Sequence, residues 1–180
     1  MQPLRTQVVV AGAGPVGTVA AFYLASRGVD VVLLEDGADC ARDLRASTFH
    51  PPTLEMLEEF DITRRLIEKG LKAPIYHFRE RRTGEVIDFD LSELADVTRH
   101  PYRIQCEQYH LSRMLSEGVQ EQKGAEVLFN HRVAAVEQNA SGVTVYAETP
   151  YAICKIAADY LIGADGSNST VRKWLGTEFH

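Results

Sequence analysis

The stretch Gly12-Ala13-Gly14-Pro15-Val16-Gly17 decides the fold of this 180-residue chain, because it has the G-x-G-x-x-G spacing of a phosphate-binding turn. Before it, Gln7 to Ala11 is a short β-branched run typical of a buried parallel strand. After it, apolar residues recur at helical spacing from Val16 to Leu24, and Gly28 ends the helix. Val31 to Leu34 forms a second buried strand. The first 35 residues therefore predict a strand–helix–strand unit with parallel strands and a right-handed crossover.

Each glycine of this turn has a distinct physical role. Gly12 permits the tight turn, Gly14 lets a pyrophosphate approach the backbone, and Gly17 lets the helix pack closely on the strand. The helix N-terminus adds free N–H groups and a partial positive charge. Alone, the pattern also fits a purely structural turn. Glu35 favours the binding interpretation, because an acid at this spacing bonds the adenosine ribose hydroxyls. Glu35 and Asp36 together repel a 2′-phosphate, which argues against NADP at this subsite.

The remainder of the chain departs from simple strand–helix alternation. A helix is predicted over Pro51–Phe60 and another over Glu107–Val119. Strands are predicted over Ile75–Phe78 and Val86–Leu91, the second with one wet face. Three successive strands then predict an antiparallel meander, and a last strand leads into an Asp-Gly turn and a short helix capped by Ser or Asn. The four strands are Glu126–Phe129, Val133–Glu137, Val143–Ala147 and Tyr160–Ile162.

Composition and charge exclude several classes of protein. The net charge is −6, with no basic stretch suited to nucleic acid. Three scattered cysteines argue against a disulfide framework and for a reducing compartment. The uncharged run over residues 6–26 is interrupted by Pro15 and three glycines, which disfavours a membrane span or signal peptide. We therefore expect a cytoplasmic protein without a membrane segment. Cys106 and His110 are expected to pack and not to bind metal, and Trp174 to anchor the core.

Three further motifs accompany the glycine turn. They are Leu44-Arg45-Ala46-Ser47 before Pro52-Thr53-Leu54-Glu55, Gln108 before Leu111, and Asp159 to Ser167 with its Gly163-Ala164-Asp165-Gly166 turn. Together with the Gly-Pro form of the turn, they resemble the flavin-dependent aromatic hydroxylases, the class A FAD monooxygenases. The resemblance covers essentially the whole chain but only the N-terminal part of such an enzyme. It implies an α/β fold: a Rossmann-like FAD-binding domain with a parallel sheet, a βαβ unit and an antiparallel β-meander.

The same resemblance implies the residues that bind the cofactor, while no catalytic residue is assignable. Arg45, a permanent planar cation, would contact the flavin nucleotide, and Gln108 would lie near FAD. Asp165 would accept from a ribose or ribityl hydroxyl, and Val133 would line the adenine through its backbone. A surface arginine, a solvent-facing glutamine and a plain Asp-Gly turn remain open alternatives. The full set of implied cofactor-binding residues is Gly12, Gly14, Pro15, Val16, Gly17, Glu35, Arg45, Gln108, Val133 and Asp165.

By resemblance, the function is FAD-dependent hydroxylation of a small phenolic or similar aromatic substrate with NAD(P)H and O₂. The alternatives are another flavoprotein, such as a halogenase or reductase, and a module that binds NAD or AMP without redox chemistry. Residues 1–180 would form an incomplete FAD-binding domain, with 73–104 contributing the first strands of a substrate-binding sheet. We therefore expect the chain alone to be inactive as a hydroxylase, and its unpaired strand edges to promote self-association into homo-oligomers.

Overall fold

The computed structural model describes residues 4–42 and 46–178 and divides the chain into two compact units. Of the described residues, the first unit contains 4–42 and 112–178, and the second contains 46–111. The elements follow in the order β1 (Leu4–Ala11), α1 (Pro15–Ser26), β2 (Val31–Leu34), β3 (Thr48–Phe49), α2 (Pro51–Glu58), α3 (Ile62–Lys69), β4 (Leu71–Ala73), β5 (Ile75–Arg79), β6 (Val86–Asp90), a 3-10 helix (Leu91–Leu94), β7 (Arg103–Gln105), α4 (Gln108–Gln120), β8 (Ala125–Leu128), β9 (Arg132–Asn139), β10 (Gly142–Glu148), β11 (Ile153–Gly163) and α5 (Thr170–Trp174).

The first unit is built on a six-stranded mixed sheet in the order β8-β2-β1-β11-β10-β9. Strand β1 lies between β2 and β11 and is parallel to both, and β2 is also parallel to β8. Strand β10 is antiparallel to β9 and β11. The predicted βαβ unit and the predicted combination of parallel and antiparallel strands are therefore confirmed.

The membership of the meander was predicted wrongly. The segment predicted as Glu126–Phe129 forms β8, which pairs in parallel with β2 and buries Val127 on the helix side of the sheet. The third meander strand is instead β11, which has eleven residues where only three were predicted. Its first half pairs with β10 while most of its length follows β1. Sequence neighbours usually pair, but β8 instead occupies the sheet edge beside β2, where Val127 is buried in the cluster on the helix side.

Successive residues of a strand point to opposite sides of the sheet, and an apolar cluster covers each side. On one side, Val10 and Leu33 pack in a cluster with residues of α1 and with Val119 of α4. On the other side, Val9 and Val32 pack with the apolar residues of the meander. The continuous apolar character of β1 and β2 follows from this double burial, as in other parallel sheets.

The described residues of the second unit form two short sheets, the helices α2 and α3, the 3-10 helix and the first residues of α4. Strands β3, β7 and β4 form one sheet, and β5 and β6 form a hairpin. The buried residues of this unit include Leu54, Leu57, Leu66 and Ile104. The strands β3, β4 and β7 were not predicted, because two or three residues are too few to show a period. Helix α3 was also not predicted, although its eight residues place the buried Ile62 and Leu66 four positions apart. In the hairpin, Ile87 and Phe89 alternate with Asp88 and Asp90 as predicted, and every residue of β6 is exposed.

Trp174 was predicted to be a core residue, and that prediction is wrong. Its side chain is 54% exposed on α5, but its indole Nε1–H donates to the carbonyl oxygen of Ala134 at 3.0 Å. Ala134 lies on β9, an edge strand of the six-stranded sheet. The tryptophan thus binds a backbone acceptor at the sheet edge, where an indole can keep its ring partly in water. Within residues 4–42 and 46–178, none of the helices is both long and apolar enough to cross a membrane.

The three thiols should differ in reactivity. Cys40 and Cys106 are buried, and desolvation by burial raises the pKa of both thiols, whereas Cys154 on β11 is only half-buried. Because the thiolate is the reactive form, a disulfide reagent should label Cys154 first, and the other two only as the chain opens. The Cys154→Ser variant should lose the fast phase and keep the slow one. Fast labelling of Cys40 in that variant would contradict the structure.

Candidate functional site

The carboxyl ends of three parallel strands lie level with one another in the first unit. Ala11 of β1 is in register with Leu34 of β2 and with Gly163 of β11. Two backbone hydrogen bonds extend the ladder into the loops: Gly12 N–H donates to Leu34 at 2.7 Å, and Ala164 N–H donates to Ala11 at 2.8 Å. Ligands of open α/β sheets bind outside this carboxyl edge. The glycine turn, Glu35 and the Asp-Gly turn all begin there.

Two glycines of the turn are required by close backbone packing. Gly12 has a φ of +100°, and a Cβ there would lie 2.5 Å from the carbonyl oxygen of Ala164. A Cβ at Gly17 would lie 1.8 Å from the carbonyl oxygen of Gly12. The predicted roles of Gly12 in the turn and of Gly17 in helix packing are therefore confirmed.

Gly14 differs from both because it faces open space. It is the N-cap of α1, and a Cβ built on it would meet no atom within 4 Å. Pro15 occupies the first helical turn, which contains no acidic residue, and the side chain of Val16 is 70% exposed. The first-turn amides have no partner within the helix and carry the positive end of its dipole. The turn therefore offers an open cradle with the polarity that a phosphate needs.

Glu35 is held beside this cradle by backbone amides. Its Oε2 accepts from the N–H of Ala13 at 2.7 Å, and its Oε1 accepts from the N–H of Gly37 at 3.0 Å. Each carboxylate oxygen can accept a second bond, so the side chain still has lone pairs for a hydroxyl ligand. Glu35 thus fixes the position of the glycine turn relative to the end of β2. This structural role was not predicted from the sequence.

Asp165 uses both of its carboxylate oxygens to cap helix α5. One oxygen accepts from the Ser169 hydroxyl at 2.5 Å, and the other accepts from the N–H groups of Thr170 at 2.7 Å and Val171 at 3.1 Å. Ser169 is the N-cap, as predicted, and accepts from the N–H of Arg172 at 2.9 Å. These bonds hold the Asp-Gly turn against the start of α5. A ligand hydroxyl would have to share Asp165 with this cap.

The other implied cofactor residues occupy different settings. The side chain of Val133 is buried in the core beneath the meander, which leaves only its backbone for a ligand. Gln108 begins α4 in the second unit, where its N–H donates to Ala46 at 3.1 Å. Its side-chain amide has no hydrogen bond to any of the described residues. Arg45 lies outside the described residues.

Two residues at the carboxyl edge were missed in the sequence. Asn130 follows β8 with a φ of +55°, and its N–H donates to the carbonyl of Gly37, while the N–H of His131 donates to the carbonyl of Glu35. Both follow β8, which is the parallel neighbour of β2. The assignment of β8 to the meander hid them. A parallel β8 would have placed its carboxyl end beside Glu35 from the sequence alone.

The pair Cys106 and His110 shows packing interactions. Cys106 is buried, and His110 Nε2 lies 3.8 Å from Glu107 Oε2. Burial is the main cause that lowers the pKa of His110, and the charge of Lys69 adds to it. No group of three or more candidate metal ligands occurs within the part of the chain that the structure describes.

Comparisons with known proteins agree on one family. The sequence model of a family described as "FAD binding domain" matches residues 5–180. The chain is 31% identical over 172 residues to para-nitrophenol 4-monooxygenase of Pseudomonas sp. (strain WBC-3), covering 96% of this chain and 43% of that protein. It is 34% identical over 172 residues to 6-hydroxy-3-succinoylpyridine 3-monooxygenase HspB of Pseudomonas putida (strain DSM 28022 / S16), covering 94% and 43%. The chain thus spans less than half the length of these relatives.

One solved structure resembles this fold over the entire length of the chain. The crystal structure of p-nitrophenol 4-monooxygenase PnpA from Pseudomonas putida DLL-E4 matches with a TM-score of 0.92 and 30% identity. The match covers 100% of this chain and 45% of that one. The α/β architecture with its parallel sheet and its meander is therefore the architecture of that monooxygenase's matched part.

Substitutions at Gly14 and Gly17 should separate binding from folding. Gly14→Val places a side chain in open space at an extended N-cap, so the free energy of unfolding should change by less than about 1 kcal/mol while nucleotide binding is lost. Gly17→Ala forces a Cβ against the Gly12 carbonyl and should unfold the chain. Thermal unfolding and equilibrium dialysis with FAD measure the two effects. A folded Gly14→Val variant that keeps the parent's affinity would show that the turn is not the binding site.

Proposed function

We propose that this chain, which belongs to the FAD binding domain family, binds FAD at the carboxyl edge of β1, β2 and β11. The observation that carries the proposal is the open cradle at Gly14, with the Glu35 carboxylate fixed beside it by the amides of Ala13 and Gly37. A phosphate pair at the helix N-terminus and a ribose at the end of β2 match these two features. The chain is thereby the FAD-binding part of a flavin-dependent monooxygenase.

Each cofactor residue has a proposed contact. The amides of the turn, with Pro15 and Val16 at its rim, receive the pyrophosphate, and Glu35 receives the adenosine ribose hydroxyls. Asp165 accepts from a ribose or ribityl hydroxyl in addition to its bonds in α5. Val133 offers its backbone to the adenine. Arg45 neutralises phosphate charge as a planar cation, and the side-chain amide of Gln108 serves polar atoms of the flavin or its ribityl chain.

The chemistry belongs to the cofactor and its position to the protein. The chemistry that FAD would supply when bound is a monooxygenation, in which NAD(P)H would provide two electrons, one oxygen atom of O₂ would enter the aromatic ring and the other would leave as water. The chain's own residues bind the nucleotide and orient it. Gly17 allows the close packing that fixes the glycine turn, and the Asp165 cap fixes the Asp-Gly turn on α5. The pair Glu35 and Asp36 disfavours a nucleotide with a 2′-phosphate in this subsite, so NADPH is not expected to replace FAD there.

We propose a small hydroxylated aromatic ring as the substrate. Two relatives are named for p-nitrophenol and 6-hydroxy-3-succinoylpyridine, which are both hydroxylated aromatic rings. In this chain, residues 73–104 contribute the first strands of the substrate-binding sheet. The β5–β6 hairpin supports this, because Phe78, Ile87 and Phe89 expose apolar side chains that suit an aromatic ring or further sheet.

The free cysteines of the described chain fit a cytoplasmic protein, and its edge strands β8 and β9 fit self-association.

The choice among nucleotides tests the proposed function. The purified chain is incubated with FAD, FMN, NAD or AMP and passed over a desalting column, and the retained nucleotide is measured by absorbance and fluorescence. We expect FAD to be retained with about one equivalent per chain and the others weakly, because only FAD fills both the phosphate cradle and the flavin subsite. Preferential retention of NAD or AMP, with no retained flavin, would favour the module without redox chemistry.

The Glu35 carboxylate should distinguish FAD from FMN, because FMN lacks the adenosine ribose. Glu35→Gln keeps the size of the side chain, but it can accept from only one of the amides of Ala13 and Gly37, and it loses the charge-assisted bond to the ribose. We expect FAD affinity to fall roughly tenfold and FMN affinity to change little. Asp36→Asn is the matched control, since it removes the same charge from the adjacent exposed residue. Equal losses for both flavins in Glu35→Gln would assign Glu35 to loop geometry alone.

A further inference from the structure

An arginine of the second unit is stacked on an aromatic pair. Arg103 begins β7, the central strand of the β3-β7-β4 sheet, and its side chain is half-buried. Its guanidinium carbon lies 4.5 Å from the ring centroid of Tyr76 on β5. The Tyr76 ring is stacked on Phe89 of β6, with 4.8 Å between the centroids and 9° between the planes. A cation held over an aromatic face in this way is stabilised and restricted in orientation.

The guanidinium of Arg103 has no anionic partner among the described residues. Its Nε is buried and makes no hydrogen bond, and no carboxylate of the described chain lies within salt-bridge distance of it. Other arginines of the same unit differ. Arg64 binds Asp61 and Glu68, and Arg99 binds Glu58 at 2.5 Å. A buried N–H without an acceptor is costly, which points to an acceptor that is supplied from elsewhere.

The carboxylates of the hairpin are turned away from Arg103. Side chains alternate along β5 and β6, so Asp88 lies on the face opposite Tyr76 and Phe89, where it binds His77 at 2.5 Å. Asp90 shares that opposite face and accepts from the N–H of Ser92 at 2.9 Å. The face that bears Tyr76 therefore presents apolar side chains and the Arg103 cation, without a hairpin carboxylate to neutralise it.

We propose that Arg103 is a specificity-determining residue that selects an anionic aromatic substrate. The guanidinium donates to a phenolate or carboxylate oxygen of the ligand, and the aromatic ring of the ligand packs against the apolar face of the hairpin. The proposal rests on the proposed function, since it names the substrate class of that monooxygenase. The chemistry follows from the donor: a planar fork with a fixed charge favours a planar anion over a neutral ring of the same shape.

An arginine is needed at position 103, because a lysine would lack two properties of the guanidinium. An ammonium group has no plane to stack on Tyr76, and it is hydrated more strongly than a guanidinium. The stack therefore restricts the orientation of the guanidinium before the ligand arrives, which reduces the entropy that binding must overcome. Phe78 and Ile87, on the same face as Tyr76 by register, extend the apolar surface around the cation.

The test compares a charged ligand with its neutral isostere. The ¹⁵N-labelled chain without FAD is titrated with 4-hydroxybenzoate and separately with 4-hydroxybenzamide, and the Nε–H signal of Arg103 is followed by NMR. That signal is assigned by its loss in Arg103→Lys. We expect a saturable shift with the benzoate and an affinity for the amide that is lower by roughly tenfold or more. Because this comparison uses the parent chain, it does not depend on a variant that folds.

Variants on the two faces of the hairpin serve as controls. Arg103→Gln should lower the affinity for 4-hydroxybenzoate roughly tenfold, whereas Arg79→Gln removes a cation from the opposite face and should leave it unchanged. The proposal would be overturned by equal affinity for the acid and the amide, by an equal loss in both variants, or by the absence of a saturable response. A titration with sulfate that shifts the Arg103 signal as strongly as 4-hydroxybenzoate does would also overturn it. The titration contains no flavin, so a failure to bind FAD leaves this result readable and refutes only the proposed function.

Discussion

The contact between the backbone of Gly12 and the backbones of Gly17 and Ala164 is the constraint on which the rest of the first unit depends. A Cβ at either glycine would collide with a carbonyl oxygen, so helix α1 and the Asp-Gly turn can approach β1 only with hydrogen at these positions. This close approach brings the ends of β1, β2 and β11 level and places three loops at one edge. The binding cradle at Gly14 is a consequence of that packing, since the same turn leaves the next glycine free.

The two acidic residues of the candidate site, Glu35 and Asp165, both serve the fold in addition to the ligand contacts proposed for them. Glu35 ties the glycine turn to the end of β2, and Asp165 ties the Asp-Gly turn to α5. Each carboxylate is thereby oriented by backbone amides before any nucleotide binds. Orientation in advance lowers the entropy lost on binding, and the amides also stabilise the negative charge beside a phosphate that would repel it.

The sequence predicted the parts of this arrangement that have a local signal. The spacing of Gly12–Gly17, the strand ending at Glu35 and the Ser169 cap are all encoded within a few residues, and the structure contains them. The partner of β8 could not be predicted locally, because a strand of four residues carries no local signal that distinguishes a neighbour in sequence from β2. That error also hid Asn130 and His131. The cofactor role of Arg45 stays a prediction, since it lies outside the described residues.

Arg103 shows why charge counts over a whole chain reveal little about a site. The chain carries a net charge of −6, which disfavours anionic ligands at long range. Under the two proposals, short-range geometry reverses this preference at two places, the N-terminus of α1 and the stacked guanidinium of Arg103. The first turn of α1 contains no acidic residue, and the carboxylate of Asp88 in the hairpin is turned to His77. The pairing of β5 and β6 decides on which face each acidic side chain of the hairpin lies, so it also decides which face of the hairpin has no carboxylate beside Arg103.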